Sequence, residues 1–178
     1  KNKPIGIDIV SHKDKDTRIK FKKVDALIFF LTNKEKFDLI IIKQTIHFLT
    51  IKKIKRLLLL SKNNLTLNGK IFIFTLDTSK NELPTFKLMK SKLTKSLERN
   101  KKILNLITKL YPNKIVKNFI YKVKITKKKY IKMIQKRYIS TLLSMKVNEI
   151  SNGTKEINLK FNKVIKFRDR LYCIIIKK

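Results

Sequence analysis

Four short apolar runs, rich in β-branched residues and separated by polar or helix-patterned stretches, constrain the fold of this chain most. These runs cover residues 4–10, 19–24, 37–42 and 70–76. Each has the length of a buried strand, and apolar residues at helical spacing follow the third and fourth runs. Strands that alternate with helices are typical of parallel pairing. The sequence therefore predicts an α/β fold on a mostly parallel sheet.

The remaining sequence predicts further elements of both kinds. Helices are expected at 51–60, 86–110 and 147–158, and strands at 116–125 and 171–177. Thr126 is a suitable N-cap for one helix that runs to residue 143, and Asn68-Gly69 has the composition of a turn. With 178 residues and only 3 Gly and 3 Pro, the chain has little room for a linker. We expect one domain over residues 1–178.

The charge of the chain is extreme, with a formal net charge of +33. Such a field attracts polyanions, so nucleic acid is a possible partner. The basic residues are 39 Lys and only six Arg, although Arg makes the bidentate contacts that nucleic-acid sites favour. The lysines are also spread among apolar residues instead of forming a tail. Two explanations stay open, AT-rich coding and a surface that binds nucleic acid.

Several classes of site and location find no support in the sequence. No apolar run approaches the length of a membrane span, so no membrane partner is expected. The only cysteine, Cys173, lies in an apolar run and is predicted to be a buried strand thiol, which fits a reducing, cytoplasmic setting. Two scattered histidines and one cysteine predict no metal site. The oligomeric state is not indicated.

Polar residues follow three of the predicted strands where each strand ends. They are Asp8, then Asp25 with Ala26, then Lys43 and Gln44, with His47 just beyond. In open α/β sheets, ligands bind beyond the carboxyl ends of the strands. A carboxylate at such an end can accept both hydroxyls of a ribose. His47 can act as a general base, with a histidine at a helix start that pairs with the backbone as the alternative. A solvated strand end or a helix N-cap is the alternative for each aspartate.

The order of these segments resembles a known family. The segments Ile5-Gly6-Ile7-Asp8-Ile9, Val24-Asp25-Ala26 and 37–48 resemble the second, third and fourth motifs of class I S-adenosylmethionine-dependent methyltransferases. Residues 67–74 resemble the fifth strand of that family. Residues 136–143 and 166–171 resemble the lid and final strands of its small-molecule branch, which includes trans-aconitate-type enzymes. The resemblance implies a Rossmann-like methyltransferase fold in which residues 77–145 include the substrate-side lid.

The resemblance also implies roles for single residues. Asp8 would hold the ribose of S-adenosylmethionine and Ile9 would pack on its adenine, with core packing as the alternative for Ile9. Asp25 and Ala26 would meet the adenine edge, and Lys43 and Gln44 would line the site beside the methyl donor. Arg137 and Tyr138 are candidate substrate contacts, because the Arg fork suits a carboxylate. For Tyr138, core packing is the alternative.

The family's first strand and glycine-rich loop have no counterpart in this sequence, which contains no G-x-G pair. We therefore expect an amino-terminally truncated member of the family. The expected activity is methyl transfer from S-adenosylmethionine to a small-molecule acceptor, with a carboxylate as one candidate. An RNA-associated basic protein, either an RNA methyltransferase or a non-catalytic RNA-binding or ribosome-associated component, is the alternative.

Overall fold

The computed structural model describes residues 3–11 and 16–178, and this range contains six strands and six α-helices. The strands are β1 Ile5–Asp8, β2 Lys20–Lys23, β3 Phe37–Lys43, β4 Leu65–Leu76, β5 Ile115–Thr126 and β6 Val164–Lys177. The helices are α1 Ala26–Thr32, α2 Ile51–Asn63, α3 Lys87–Leu110, α4 Lys127–Gln135, α5 Ser140–Leu143 and α6 Val147–Lys160, and a 3₁₀ turn covers Ile46–Phe48. The predicted α/β class is confirmed.

The chain divides into two compact units. Unit 1 comprises residues 1–72 and 175–178, and unit 2 comprises residues 73–174. Strands β4 and β6 are long enough to contribute residues to both. The region predicted to include a lid, 77–145, falls within unit 2. The expectation of one domain over 1–178 stays a prediction.

Unit 1 contains a parallel pair of strands. In this pair β1 and β2 lie in register, with Ile5 opposite Lys20 and Asp8 opposite Lys23. A separate sheet places β3 beside β4, and β4 beside β6. The helices α1 and α2 pack on each other, and the rings of Phe29 and Phe30 lie 6.2 and 6.5 Å from that of Phe37. These contacts fix the start of β3 against α1.

Asparagine side chains connect the ends of the unit 1 helices. The Asn64 side chain donates to the carbonyl of Phe30 at 2.9 Å and accepts from Asn33 at 2.8 Å. Asn64 is buried, so these bonds replace the water that its amide loses. The apolar interior of this unit comes from both strands and helices. It includes Phe29, Phe30, Ile40, Ile42, Ile54, Leu57, Leu58, Leu65 and Ile71.

Unit 2 is built around one cluster of buried side chains from α3 to β6. In its sheet, β6 lies between β4 and β5. The cluster contains Phe86, Met89, Tyr130, Ile134, Leu142, Met145, Ile150, Ile157 and Ile165. Gly153 of α6 lets the Phe86 ring approach the helix closely, because a Cβ at this glycine would lie 2.5 Å from two ring carbons. Cys173 is buried as predicted, and burial raises the pKa of its thiol against the opposing charge of Lys117.

The sheet differs from the sequence prediction in two ways. The four runs at 5–10, 19–24, 37–42 and 70–76 were expected to be parallel neighbours in one sheet, but they belong to two sheets. Among the described residues, β1 and β2 pair only with each other, and β3 pairs with β4. In addition, Asp77 N–H donates to the Arg170 carbonyl and Lys178 N–H donates to that of Gly69. Residue numbers therefore rise along β4 where they fall along β6, so these two strands are antiparallel and their sheet is mixed.

Two local predictions were also wrong. The helix expected from Thr126 to residue 143 is interrupted, because Arg137 has a φ of 54° that cannot continue a right-handed helix. Asn68-Gly69 is not a turn but lies inside β4. The glycine is needed there for space, since a Cβ would come within 2.8 Å of the Phe37 carbonyl oxygen.

Candidate functional site

The carboxyl ends of β1 and β2 bring two predicted site residues to the same edge of the parallel pair. The Asp8 carbonyl accepts the Val24 N–H at 2.9 Å, so the strands are still paired where β1 ends. Asp25 follows Val24 and is the N-cap of α1. The sequence prediction that Asp8 and Asp25 terminate adjacent parallel strands is therefore confirmed.

Asp8 has a local role in shaping the end of β1. Its Oδ1 accepts the backbone N–H of Val10 at 3.0 Å, which bends the chain just after the strand. The side chains that follow are strongly exposed, 65% for Ile9 and 57% for Val10. Core packing, the alternative considered for Ile9, is thus excluded. An acidic group with exposed apolar neighbours offers both a polar and an apolar contact to a ligand.

Asp25 is the N-cap of α1. Its Oδ1 accepts the N–H groups of Leu27 at 2.7 Å and Ile28 at 3.3 Å. The helix-cap alternative considered for this residue is therefore part of its role. Both cap bonds use the same carboxylate oxygen, Oδ1. Ala26 is the first residue of the helix and is half-buried.

The end of β3 has an unusual backbone. Gln44, the residue after the strand, has a φ of 51°. A non-glycine residue in this left-handed region costs about 1 kcal/mol or more, and such residues concentrate at functional sites. Lys43 before it is exposed and Gln44 is half-buried. The backbone therefore changes direction just where β3 ends.

His47 lies in the 3₁₀ turn that follows Gln44. Its ring is half-buried and lies 4.3 Å from that of Phe48, centroid to centroid. Ile46 anchors the turn, since only 2% of it is exposed, whereas Phe48 is 58% exposed. The turn thus holds His47 between a buried and an exposed apolar residue.

Arg137 and Tyr138, the predicted substrate contacts, lie in unit 2 and make contacts within it. Arg137 Nη1 donates to the carbonyls of Leu142 and Leu143, both at 2.9 Å, and so satisfies the end of α5. The Tyr138 and Tyr130 hydroxyls are 2.9 Å apart, and Tyr130 donates to the Pro84 carbonyl. Burial raises the pKa of Tyr138 to about 12, with Asp169 adding to the effect and the Tyr130 bond opposing it. Their contact with substrate stays a prediction.

A second polar centre of unit 2 stabilises the loop after β4. Burial disfavours the Asp77 carboxylate, but the N–H groups of Ser79 and Lys80, the Ser79 hydroxyl and the charge of Arg170 outweigh it. The pKa of Asp77 is therefore below its ordinary value. Arg170 also binds Glu82 at 2.8 Å, and this bond lowers the pKa of Glu82. These groups hold the loop in place by satisfying each other.

Some side chains beside the predicted site were given no role from the sequence. Val10 and Phe48 are exposed apolar residues next to Ile9 and His47. The signal that could have found them is their position, because an apolar residue just beyond a strand end has no core to enter. Across the described ranges 3–11 and 16–178, no three His, Cys, Asp or Glu residues are grouped as a metal site would require. Within the same ranges, no helix is long and apolar enough to cross a membrane.

Comparisons with known proteins give structural likeness only. No protein-family model and no curated protein matches the chain. A plantazolicin methyltransferase, BpumL, solved with SAH has a TM-score of 0.48 and 14% identity over 98% of this chain and 67% of its own. A SAM-dependent methyltransferase from Archaeoglobus fulgidus has a TM-score of 0.48 and 17% identity over 98% and 75%. A Haemonchus contortus phosphoethanolamine N-methyltransferase has a TM-score of 0.48 and 14% identity, and the match covers 98% of this chain and 43% of that enzyme.

The match to BpumL solved with a monoazolic desmethylPZN analogue and SAH covers 66% of the length of that enzyme. Since these identities are below 25% and the TM-scores below 0.5, a function for this chain has to be argued from its own residues.

Proposed function

We propose that this chain carries the S-adenosylmethionine-binding side of a class I methyltransferase with a Rossmann-like fold. The observation that carries the proposal is the position of Asp8 and Asp25 at the carboxyl ends of two adjacent parallel strands. Ligands of α/β sheets bind at this edge. The order of the same residues along the chain is the one that the sequence resemblance predicts.

The donors and acceptors at this edge fit the adenosine half of S-adenosylmethionine. Asp8 offers carboxylate oxygens to the ribose hydroxyls, and the exposed Ile9 side chain offers an apolar face to the adenine. Asp25 uses Oδ1 to cap α1, so Oδ2 is the candidate acceptor for the exocyclic amine of adenine. The N–H of Ala26 is the candidate donor to a ring nitrogen.

The strained end of β3 is proposed to lie beside the methyl donor. Gln44, in the left-handed region just after β3, and Lys43 before it are the candidates to line this part of the site, and His47 follows in the 3₁₀ turn as a candidate general base. When bound, the sulfonium supplies the methyl group by direct displacement. The protein mainly has to align the acceptor and exclude water. A base is dispensable when the acceptor is already a carboxylate.

We propose a small molecule as the methyl acceptor. Arg137 and Tyr138 are the candidates for contacting it, and a carboxylate suits the guanidinium best. Arg137 already donates to two backbone carbonyls through Nη1, so an acceptor would meet its remaining N–H groups. A trans-aconitate-like acceptor is one member of this class.

The cofactor site is tested by measuring the binding of S-adenosylhomocysteine with saturation-transfer NMR, a method that detects weak ligands. Loss of the charge-assisted hydrogen bonds in Asp8→Ala should cost about 1.5–3 kcal/mol, which weakens binding roughly ten- to hundredfold. Asp38→Ala is the matched control, because Asp38 is an exposed strand aspartate at the opposite end of β3 that binds Thr66. An equal loss in both variants, or no signal with the unaltered chain, would show that the cofactor has been misplaced.

A further inference from the structure

A groove between α4 and α6 in unit 2 is lined by four lysines and no acidic residue. Its volume is about 460 Å³. Lys127, Lys128 and Lys132 come from α4, and Lys155 comes from α6, and Ile131 also lines the groove. Lys128 and Lys132 of α4 are four residues apart and therefore share one side of the helix. Positive charge therefore faces the groove from both walls.

The two acidic residues of α6 do not line the groove and make their hydrogen bonds outside it. Glu149 accepts the backbone N–H of Lys146 at 2.6 Å in the capping box of the helix. Glu156 accepts the N–H of Lys87 at 2.9 Å at the start of α3. Helix α4 contains no acidic residue. The groove therefore keeps an excess of positive charge that the protein itself does not balance.

The ammonium groups differ in their availability. Lys127 is half-buried, and its Nζ donates to the carbonyls of Asn158 and Phe161 at 2.7 and 2.9 Å. It contributes charge but is held in place. Lys128, Lys132 and Lys155 are exposed. These three are the side chains that can reach a ligand.

We propose that this groove binds the phosphate backbone of single-stranded RNA. A narrow, flexible polyanion can enter a concave groove and meet lysines on both walls, whereas a flat membrane surface would meet only the rims. Lysine contacts to phosphates are strong but insensitive to sequence, so binding should be non-specific in sequence and salt-dependent. This site lies wholly within unit 2 and does not depend on the proposed methyltransferase activity.

The test compares two triple variants that each remove three charges. The groove variant replaces Lys128, Lys132 and Lys155 with Gln, and the control replaces Lys52, Lys53 and Lys55, which are exposed on α2 in unit 1. Binding of a fluorescein-labelled oligouridylate of about 20 nucleotides is measured by anisotropy over a range of salt concentrations. The groove variant should bind about tenfold or more weakly at about 0.1 M salt, with a salt slope reduced by about 2.

A charge-preserving variant separates binding from folding. Replacing the same three groove lysines with Arg should retain most of the RNA affinity. Equal losses in the groove and α2 variants would overturn the proposal, because they would show that overall charge alone attracts RNA. Tighter binding to phosphatidylserine vesicles than to RNA, lost in the groove variant, would overturn it in favour of a membrane surface.

Discussion

The backbone carbonyl of Asp8 accepts the N–H of Val24 at 2.9 Å, one residue before Asp25 begins α1. This bond extends the pairing of β1 and β2 to the last residue of β1. It holds the backbone of Asp8 beside the residue that precedes Asp25. Sheet pairing therefore brings the backbones of two aspartates 17 positions apart to the same edge, where we propose the adenosine site.

Ile9→Ser should separate ligand binding from stability. Because Ile9 is 65% exposed, the substitution should change the free energy of unfolding by less than about 0.5 kcal/mol. If the side chain packs on adenine, the dissociation constant for S-adenosylhomocysteine should rise about tenfold, since the buried apolar area is lost. Urea denaturation and saturation-transfer NMR on one preparation give both values.

Leu67→Ser is the control for this change. Leu67 is 86% exposed and lies in β4, away from the ends of β1 and β2. It should affect neither stability nor binding. A similar loss of affinity in both variants would remove Ile9 from the site.

Asp25→Ala should destabilise the chain by about 1 kcal/mol, because α1 loses the side chain that accepts from Leu27 and Ile28. Asp25→Ser should restore most of this stability, since Ser is also a good N-cap. Ser lacks the second carboxylate oxygen, however, so it should not restore ligand affinity. Thermal unfolding monitored by circular dichroism and NMR binding measurements on both variants test the two roles. Full recovery of binding in the Ser variant would contradict the adenine contact.

Sequence patterns predicted the elements whose local signals agree with their environment. Thr126 caps α4 as expected, with its hydroxyl accepting from Lys129 N–H, and α2 and α3 begin within a residue of the predicted positions. Helix α1 was missed because its sequence, ALIFFLT, is short and apolar on all sides. Such a segment has no periodicity that distinguishes a helix from a strand.

The remaining errors arose from tertiary contacts. An apolar stripe continues past Arg137, so local spacing favoured one helix from Thr126 to residue 143. The helix instead ends before Arg137, whose φ is 54°, and the guanidinium donates to the carbonyls of Leu142 and Leu143. Gly69 was assigned to a turn because of its residue type, whereas the nearby Phe37 carbonyl explains it. The strand ends at Asp8 and Asp25 could be predicted from sequence because the apolar runs stop there, whereas the exposure of Ile9 could not. The roles of these residues in a site stay predictions.

Gly153→Ala should destabilise unit 2 by about 1–3 kcal/mol. The added Cβ would lie 2.5 Å from the ring carbons of Phe86, and both residues are buried, so the helix or the ring must move. The intrinsic helix propensity of Ala would favour the opposite result by about 1 kcal/mol. Chemical denaturation of the variant shows which effect dominates.

A double-mutant cycle identifies the cause of this loss. Phe86→Leu alone should destabilise the chain through the cavity that it leaves. Combined with Gly153→Ala, it should cost less than the sum of the single changes, with a coupling of at least about 0.5 kcal/mol. Strict additivity would mean that the close contact is not the source of the destabilisation.

The hydroxyl pair of Tyr130 and Tyr138 should make stability fall in strongly alkaline solution. Burial raises the pKa of both phenols, to about 12 for Tyr138, whereas an unfolded tyrosine has a pKa of about 10. Below pH 10 both states hold the phenol protons, and the stabilisation is complete. Above it the unfolded chain releases protons first, so each tyrosine lowers the free energy of unfolding by about 1.4 kcal/mol per pH unit. The loss continues up to the pKa of the folded state.

Tyr138→Phe tests this pH dependence. At neutral pH the variant should be less stable by about 1 kcal/mol, because the hydroxyl bond to Tyr130 at 2.9 Å is removed. Between about pH 10 and 12 its stability should fall less steeply than that of the unaltered protein, since one of the two shifted groups is gone. Urea denaturation at a series of pH values measures both effects. Parallel curves over this range would show that Tyr138 ionises equally easily in the folded and unfolded chain, and that burial does not hold its proton.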